Sequence, residues 1–213
     1  AADGRNFCAA LVIVATGTRH RRLHVPGELR PAGQGVSHCA VCDGPMYAGE
    51  KVAVIGGGNA GMEAALHLSE IASKVYLIEQ EGRLRGEKLL QQRIARAKGK
   101  GKIDVLTATR VEEITGDAAV DGILISDLGH GAGNIHRKLN VTGVFIEAGR
   151  EPNSHFVDVK KTPDGHVLVD EAMRTSDPRI FAAGDVTSVG PAQVVTAASQ
   201  GCAAALAAAN LLL

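Results

Sequence analysis

Cys39 and Cys42, with two residues between them in Cys39-Ala40-Val41-Cys42-Asp43-Gly44, form the most reactive pair in the chain. At this spacing two cysteines either close a small disulfide or give two ligands to zinc. Cys8 and Cys202 are isolated and make no second pair, although His38 stands next to Cys39 as a candidate third ligand. Redox chemistry is therefore favoured and no metal site is expected. Asp43 does not help a thiolate form, since a negative charge opposes a second one nearby. Its useful role is to donate or relay a proton as a thiolate leaves.

A second chemistry is written in Gly56-x-Gly58-x-x-Gly61. In a dinucleotide fold the first glycine makes a tight turn, and the second lets the backbone reach the pyrophosphate. The third allows close helix–strand packing, with phosphates at the helix N-terminus. The match follows the apolar run Lys51 to Ile55 and opens a helical pattern reaching about Ser69. Eighteen residues after Gly61, Glu79 ends the next strand pattern, where a carboxylate can accept the ribose hydroxyls. That carboxylate repels the 2′-phosphate of NADP, so NAD(H) is favoured; Arg83 and Arg85 are the residues that would instead hold such a phosphate. A third motif, Phe181-Ala-Ala-Gly184-Asp185-Val186, runs an apolar strand into Gly-Asp; by itself it reads as a strand end with an acidic turn.

These residues need strands and helices to hold them. Strand, glycine turn, helix and strand over residues 51–79 make a βαβ unit. Ala10 to Ala15 reads as a buried strand, Arg19 to Gly35 as a loop, and Glu87 to Ala97 as a helix with Leu89, Leu90 and Ile94 on one face. Gly99 to Gly101 ends it. Short strands are expected at 103–106, 109–114, 122–126, 143–146, 166–169 and 180–182, turns at Pro152-Asn153 and 163–165, and an Ala-rich helix over Gln193 to Asn210.

Composition agrees with a folded α/β protein. The 213 residues are 45% apolar and 22% charged, with 23 basic and 23 acidic side chains, which excludes a disordered tail and argues against nucleic-acid binding. Aromatics are 3%, with no Trp, so base-stacking platforms lack material. The 26 glycines exceed the average share of about 7% and ask for close backbone approach. The apolar stretches 9–15 and 202–213 fall short of the roughly 20 residues of a membrane helix. No signal sequence opens the chain, four cysteines are not a secreted scaffold, and a cytoplasmic location is expected.

Taken together, Ala15-Thr-Gly17, Val25-Pro-Gly-Glu28, Cys39-x-x-Cys42-Asp43-Gly44, Gly56-Gly-Gly-Asn-Ala-Gly61, Ala148-Gly-Arg-Glu-Pro-Asn153, Ala183-Gly-Asp185 and Gln193-x-x-Thr196-Ala-Ala198 resemble, in order, the low-molecular-weight thioredoxin reductase family. That family includes the flavoprotein component of alkyl hydroperoxide reductase. The resemblance implies electron flow from nicotinamide to FAD, to a Cys39–Cys42 disulfide, and on to a thioredoxin-like or peroxiredoxin-linked protein disulfide. It implies that Cys42 faces the flavin, that Cys39 exchanges with the partner, and that Asp43 donates the proton. Asp185, beside Gly184, would bind the flavin ribitol. Gln193 and Val194, at the start of the last helix, would lie near the flavin, and Gly56, Gly58, Asn59, Ala60, Gly61, Glu79 and Gly149 complete the cofactor contacts. A homodimer is also implied.

Two departures qualify the match. Where NADPH-using members carry His-Arg-Arg, this chain has Glu79-Gln80-Glu81, which strengthens the NADH expectation. Such proteins also open with a glycine fingerprint for the ADP half of FAD, and no second fingerprint is present here. The expected architecture is α/β: a Rossmann-like three-layer nucleotide domain plus the C-terminal part of an FAD-binding domain. Residues 1–22 and 149–213 belong to the partial FAD domain and 23–148 to the NAD(H)-binding domain with its redox pair. The alternative is an NAD-binding fragment without stable FAD or turnover.

Overall fold

The computed structural model describes residues 4–31, 33–129 and 136–213. Ala1 to Asp3 of the expected 1–22 segment, and Ala32 of the expected 19–35 loop, lie outside the described residues. In chain order the strands and helices are β1 (Val12–Val14), β2 (Thr18–His20), β3 (Val36–Ser37), α1 (Ala40–Asp43), β4 (Lys51–Ile55), α2 (Asn59–Ser69), β5 (Lys74–Ile78), α3 (Lys88–Gly99), β6 (Ile103–Leu106), β7 (Thr109–Thr115), β8 (Gly122–Asp127), β9 (His136–Leu139), β10 (Gly143–Ile146), β11 (Arg150–Pro152), β12 (Ile180–Ala182) and α4 (Val194–Ala209). They form two compact units, His20–Gly149 and the combination of residues 1–19 with 150–213.

The central unit is built on a parallel five-stranded sheet in the order β3-β10-β4-β5-β6. Apolar β4 and β10 are buried along nearly their whole length, as strands covered on both faces must be. Alternate residues divide between the faces. Val52, Val54, Val75 and Leu77 pack with Met62, Ala65 and Leu68 of α2 and Leu90 and Ile94 of α3. Ala53, Ile55, Ile78 and Ile146 pack instead with Val111, Ile114, Ile123 and Ile125 of the antiparallel β7-β8-β9 meander. Helices, sheet and meander are thus the three layers of a Rossmann-like unit. Each fully buried Ile or Leu in these layers contributes about 1.5–3 kcal/mol.

The second unit pairs β1 with β12 in parallel and β2 with β11. Phe181 and Ala183 pack against Ala204 and Ala208 of α4, whose small side chains let the helix approach closely.

Several local expectations differ from the structure, among them the loop from Arg19, which begins inside β2 (Thr18–His20), and the turn at Pro152, which ends β11 (Arg150–Pro152). Ala10 to Ala15 is not a buried strand: Val12 and Ile13 are 48% and 41% exposed, because β1 pairs with β12 alone among the described residues. Leu89 is 65% exposed, one position off the face that Leu90 and Ile94 turn to the sheet. Residues 166–169 are no strand; only Val167 makes bridges, to Lys161 and Thr187, and an exposed Leu168 leaves no face to bury. The helix around 87–97 continues to Gly99, and Gly101, at φ +74°, turns the chain beyond it.

Candidate functional site

The cysteine pair follows directly from β3. Ser37, the last residue of β3, stands in register with Phe145 of β10, and Cys39 then caps the short helix α1. Cys39 and Cys42 are joined in a disulfide with their Cα atoms 5.3 Å apart, which is the redox alternative for the pair. Cys42 is exposed and Cys39 half-buried. The buried Ser37 hydroxyl donates to Asp43 Oδ2 at 2.6 Å and accepts the Cys39 backbone N–H at 3.0 Å. His38 stacks on His20 with ring centroids 4.4 Å apart, and its Nδ1 lies 3.0 Å from the Ile146 carbonyl oxygen. Beneath the pair, Tyr47 meets Phe145 edge-on, and burial, with the nearby charge of Asp43, pushes its phenol above the ordinary value.

The glycine turn leaves β4 on the other side of β10. Gly56 has φ +127°, and a Cβ there would stand 2.2 Å from the Glu147 carbonyl oxygen. A Cβ on Gly61 would stand 1.8 Å from the Gly56 carbonyl oxygen, so helix and turn touch backbone to backbone. Gly58, by contrast, has nothing within 4 Å of its missing Cβ: it faces open space at the start of α2. Asn59 ties this start to that of α3, accepting the Glu87 backbone N–H at 2.8 Å and donating to its carboxylate at 3.1 Å. Ala60 is exposed.

Glu79 is 4% exposed and its carboxylate is engaged by backbone. One oxygen accepts the Gly57 N–H at 2.7 Å and the other the Glu81 N–H at 2.9 Å, with the Arg85 guanidinium 3.5 Å from the first. A cavity of about 490 Å³ opens beside it, lined by Gly56, Glu79, Glu81 and Arg85 and by Arg21, Arg22 and Arg110 from other elements. Arg83 is exposed and outside this lining. One wall is the loop at Val25, where the buried Glu28 carboxylate accepts the Leu23 and His24 N–H groups at 2.8 Å each. On the rim, the Ser126 hydroxyl and then the Arg110 guanidinium bond to the Glu112 carboxylate and lower it from its ordinary value.

In the second unit, stretches far apart in sequence converge. Ala15, Gly17, Gly184, Asp185, Gln193 and Val194 line a cavity of about 380 Å³ whose walls are mostly small side chains and backbone. Gly184, at φ +77°, donates its N–H to the buried Gln200 side chain at 2.7 Å, and Gln200 donates in turn to the Val189 carbonyl. Asp185 lies 3.8 Å from the Arg150 guanidinium. The Ala-Thr-Gly and Pro-Asn motifs interlock: Asn153 donates from its backbone to Gly17 and from its side chain to Thr16, both at 2.9 Å, and Thr16 donates back to the Asn153 carbonyl at 2.6 Å.

The structure therefore brings together Cys39, Cys42 and Asp43; then Gly56, Gly58, Gly61 and Glu79; and separately Gly184, Asp185, Gln193 and Val194. Gly149 is exposed at φ +97°, next to Ala148 of the cavity beside Glu79, and its carbonyl accepts the N–H of Arg21 from the same lining. Ser37, Gly57, Arg21, Arg22 and Arg110 are site residues that sequence reasoning misses. For Ser37 a local signal covers only the bond to the Cys39 N–H, since a serine two residues ahead of a turn is a common hydrogen-bonding motif; the bond onward to Asp43 has none.

Residues 1–201 match the family described as pyridine nucleotide-disulphide oxidoreductase. The chain is 39% identical over 210 residues to an alkyl hydroperoxide reductase protein of Pseudomonas putida, covering 97% of this chain and 39% of that protein. It is 41% identical over 211 residues to thioredoxin reductase of Escherichia coli O157:H7, covering 96% of this chain and 65% of that protein. Among solved structures, thioredoxin reductase of T. acidophilum superposes with a TM-score of 0.77 at 36% identity, over 95% of this chain and 66% of that one. The chain thus spans about two-fifths of the first relative and just under two-thirds of the second. By sequence and by fold it belongs to the pyridine nucleotide-disulphide oxidoreductase family.

Proposed function

We propose that this chain is the NADH-binding and disulfide-exchanging portion of an FAD-dependent disulfide reductase, whose electrons leave for a thioredoxin-like or peroxiredoxin-linked protein disulfide. The observation that carries the reading is that one compact unit holds both a Cys39–Cys42 disulfide and an open glycine turn, on strands β3 and β4 that flank β10. Relatives named alkyl hydroperoxide reductase and thioredoxin reductase support the partner class.

For the nucleotide, Gly58 and the start of α2 offer backbone N–H groups to phosphate, and Glu79 offers carboxylate oxygens to ribose. Glu79 and Glu81 set two carboxylates at the end of β5 where a 2′-phosphate would lie; Arg85 of the same lining faces Glu79, and Arg21, Arg22 and Arg110 enter the cavity from other elements. NADH is the expected donor. Glycine- and alanine-lined walls between Ala15 and Gly201 suit the close approach of a flat ring, with Asp185 to accept hydroxyls and Gln193 and Val194 at its edge. When bound, FAD supplies a relay that takes two electrons from nicotinamide and gives them to a disulfide.

Two electrons and two protons convert the Cys39–Cys42 bond to two thiols. Cys39 as thiolate then attacks a partner sulfur, the partner's own S–S bond breaks, and Cys42 releases the partner by re-forming the bond to Cys39. Asp43 supplies the proton to a departing sulfur. The units 1–19 with 150–213 and 20–149 correspond in this reading to part of an FAD domain and a complete NADH domain. Cytoplasmic location and a homodimer belong to the same reading; among the described residues, no helix is long and apolar enough to cross a membrane.

The test is disulfide reduction at limiting nucleotide. Higher turnover with NADH than with NADPH supports the assignment, and equal turnover contradicts it. A second reading is a nucleotide-binding fragment without stable FAD. Colourless purified protein that still binds NADH would support that reading.

A further inference from the structure

We propose that Ser37 is a positioning residue for Asp43, fixing which carboxyl oxygen delivers the proton during disulfide exchange. The proposal rests on the reading of Asp43 as proton donor and adds a residue to it. Ser37 is buried, at 6% exposure, at the end of β3, where pairing with β10 fixes its backbone. Its hydroxyl has one proton to give. The Cys39 backbone N–H donates to the hydroxyl oxygen at 3.0 Å, so the proton is directed to Asp43 Oδ2 at 2.6 Å; the Cys39 carbonyl, at 3.4 Å, is the poorer acceptor.

A plain turn would need only the bond from Cys39 N–H to the hydroxyl. The bond onward to Asp43 ties the acid to the backbone of the cysteine it serves. An oxygen already accepting a hydrogen bond is the less basic of the two, so with Oδ2 held by Ser37 it is Oδ1 that is left to pass a proton to a departing sulfur. When a thiolate attacks one sulfur of the pair, the S–S bond breaks and its electron pair leaves on the other sulfur. That sulfur takes the proton from Oδ1, and the Ser37 hydroxyl remains bonded to the resulting carboxylate. Asp43 regains its proton from water. With dithiothreitol as reductant, the reagent closes to its cyclic disulfide as the Cys39–Cys42 pair becomes two thiols.

The experiment follows reduction of the chain by dithiothreitol, with acid quench, alkylation and mass counting. Exposed Cys8 and Cys202 give a constant background of two adducts, and reduction adds two more. Ser37→Ala, Ser37→Thr, Asp43→Asn and Ser37→Ala/Asp43→Asn are compared with the parent between about pH 6 and 9. Ser37→Ala is expected to slow reduction about tenfold, the rate equivalent of one hydrogen bond. Ser37→Thr, which keeps the hydroxyl, should stay within about threefold of the parent, and the double variant should match Asp43→Asn alone.

Additive losses in the double variant would overturn the proposal, because Ser37 would then act through the fold and not through Asp43. So would a Ser37→Ala rate near the parent's while Asp43→Asn is slow. A parent-like Asp43→Asn removes the proton-donor reading and this proposal together, which separates the two failures. Should Ser37→Ala fail to fold, any rate effect of Ser37→Thr must vanish in the Asp43→Asn background; persistence of that effect would overturn the coupling.

Discussion

The carboxylate of Glu79 accepts the backbone N–H of Gly57 at 2.7 Å, so the acid positioned for a ribose also anchors the turn that would hold the phosphates. Glu79→Ala strands the buried backbone N–H of Gly57 and removes the acceptor of the part-buried bond from the Glu81 N–H. It should lower stability by about 1–3 kcal/mol as well as weaken NADH binding. Glu79→Gln, which keeps an acceptor, should retain more stability than Ala. Thermal melts run beside NADH titrations check both.

The glycines of the turn should separate into structural and ligand-facing classes. Gly61→Ala drives a methyl group to 1.8 Å from the Gly56 carbonyl oxygen and should cost at least about 2 kcal/mol. Gly58→Ala meets nothing within 4 Å, so its melt should stay within about 0.5 kcal/mol of the parent. Its NADH affinity should nonetheless drop about tenfold, because the added methyl occupies the backbone's approach to pyrophosphate. Equal melts for the two variants would contradict this division.

Tyr47 gives the fold an alkaline limit. Burial, and then the charge of Asp43, raise its phenol above the unfolded value, so folding favours the protonated form. Its stabilising contribution is fully present below the unfolded value near 10 and is lost as pH rises through the folded value. Melting temperature should therefore fall more steeply above about pH 10 in the parent than in Tyr47→Phe. Parallel curves would show that another group sets the limit.

Gln200 is the buried bracket of the Gly-Asp turn, accepting from Gly184 N–H and donating to the Val189 carbonyl. Gln200→Leu keeps the volume but orphans both groups, and a loss of about 1–3 kcal/mol is expected by denaturant titration.

Much of the fold is legible in the sequence because it is local. Lys51 to Ile55, the glycine spacing and Glu79 lie within one βαβ unit, where period, turn and reach follow from adjacent residues. The interlock of Thr16 with Asn153 is not legible, since it joins residues 137 positions apart. Thr18–His20 and Arg150–Pro152 stay hidden for the same reason: short polar strands gain their pairing from each other rather than from apolar pattern. Val12 and Ile13 mark the opposite error, in which a β-branched run signals burial although the strand has one partner among the described residues. In the site, Cys39, Cys42 and Asp43 are visible by type and spacing. Ser37 is not, because its importance lies in a bond between side chains six positions apart.

Whether electrons from NADH reach the Cys39–Cys42 bond is the central question, and one measurement addresses it most directly. The chain is supplied anaerobically with FAD and NADH, and its alkylatable thiols are then counted by mass. Two new thiols beyond Cys8 and Cys202 are predicted in the parent, with no NADH-dependent increase in Cys42→Ser. A chain that binds both cofactors yet keeps its disulfide intact would contradict the proposed electron path.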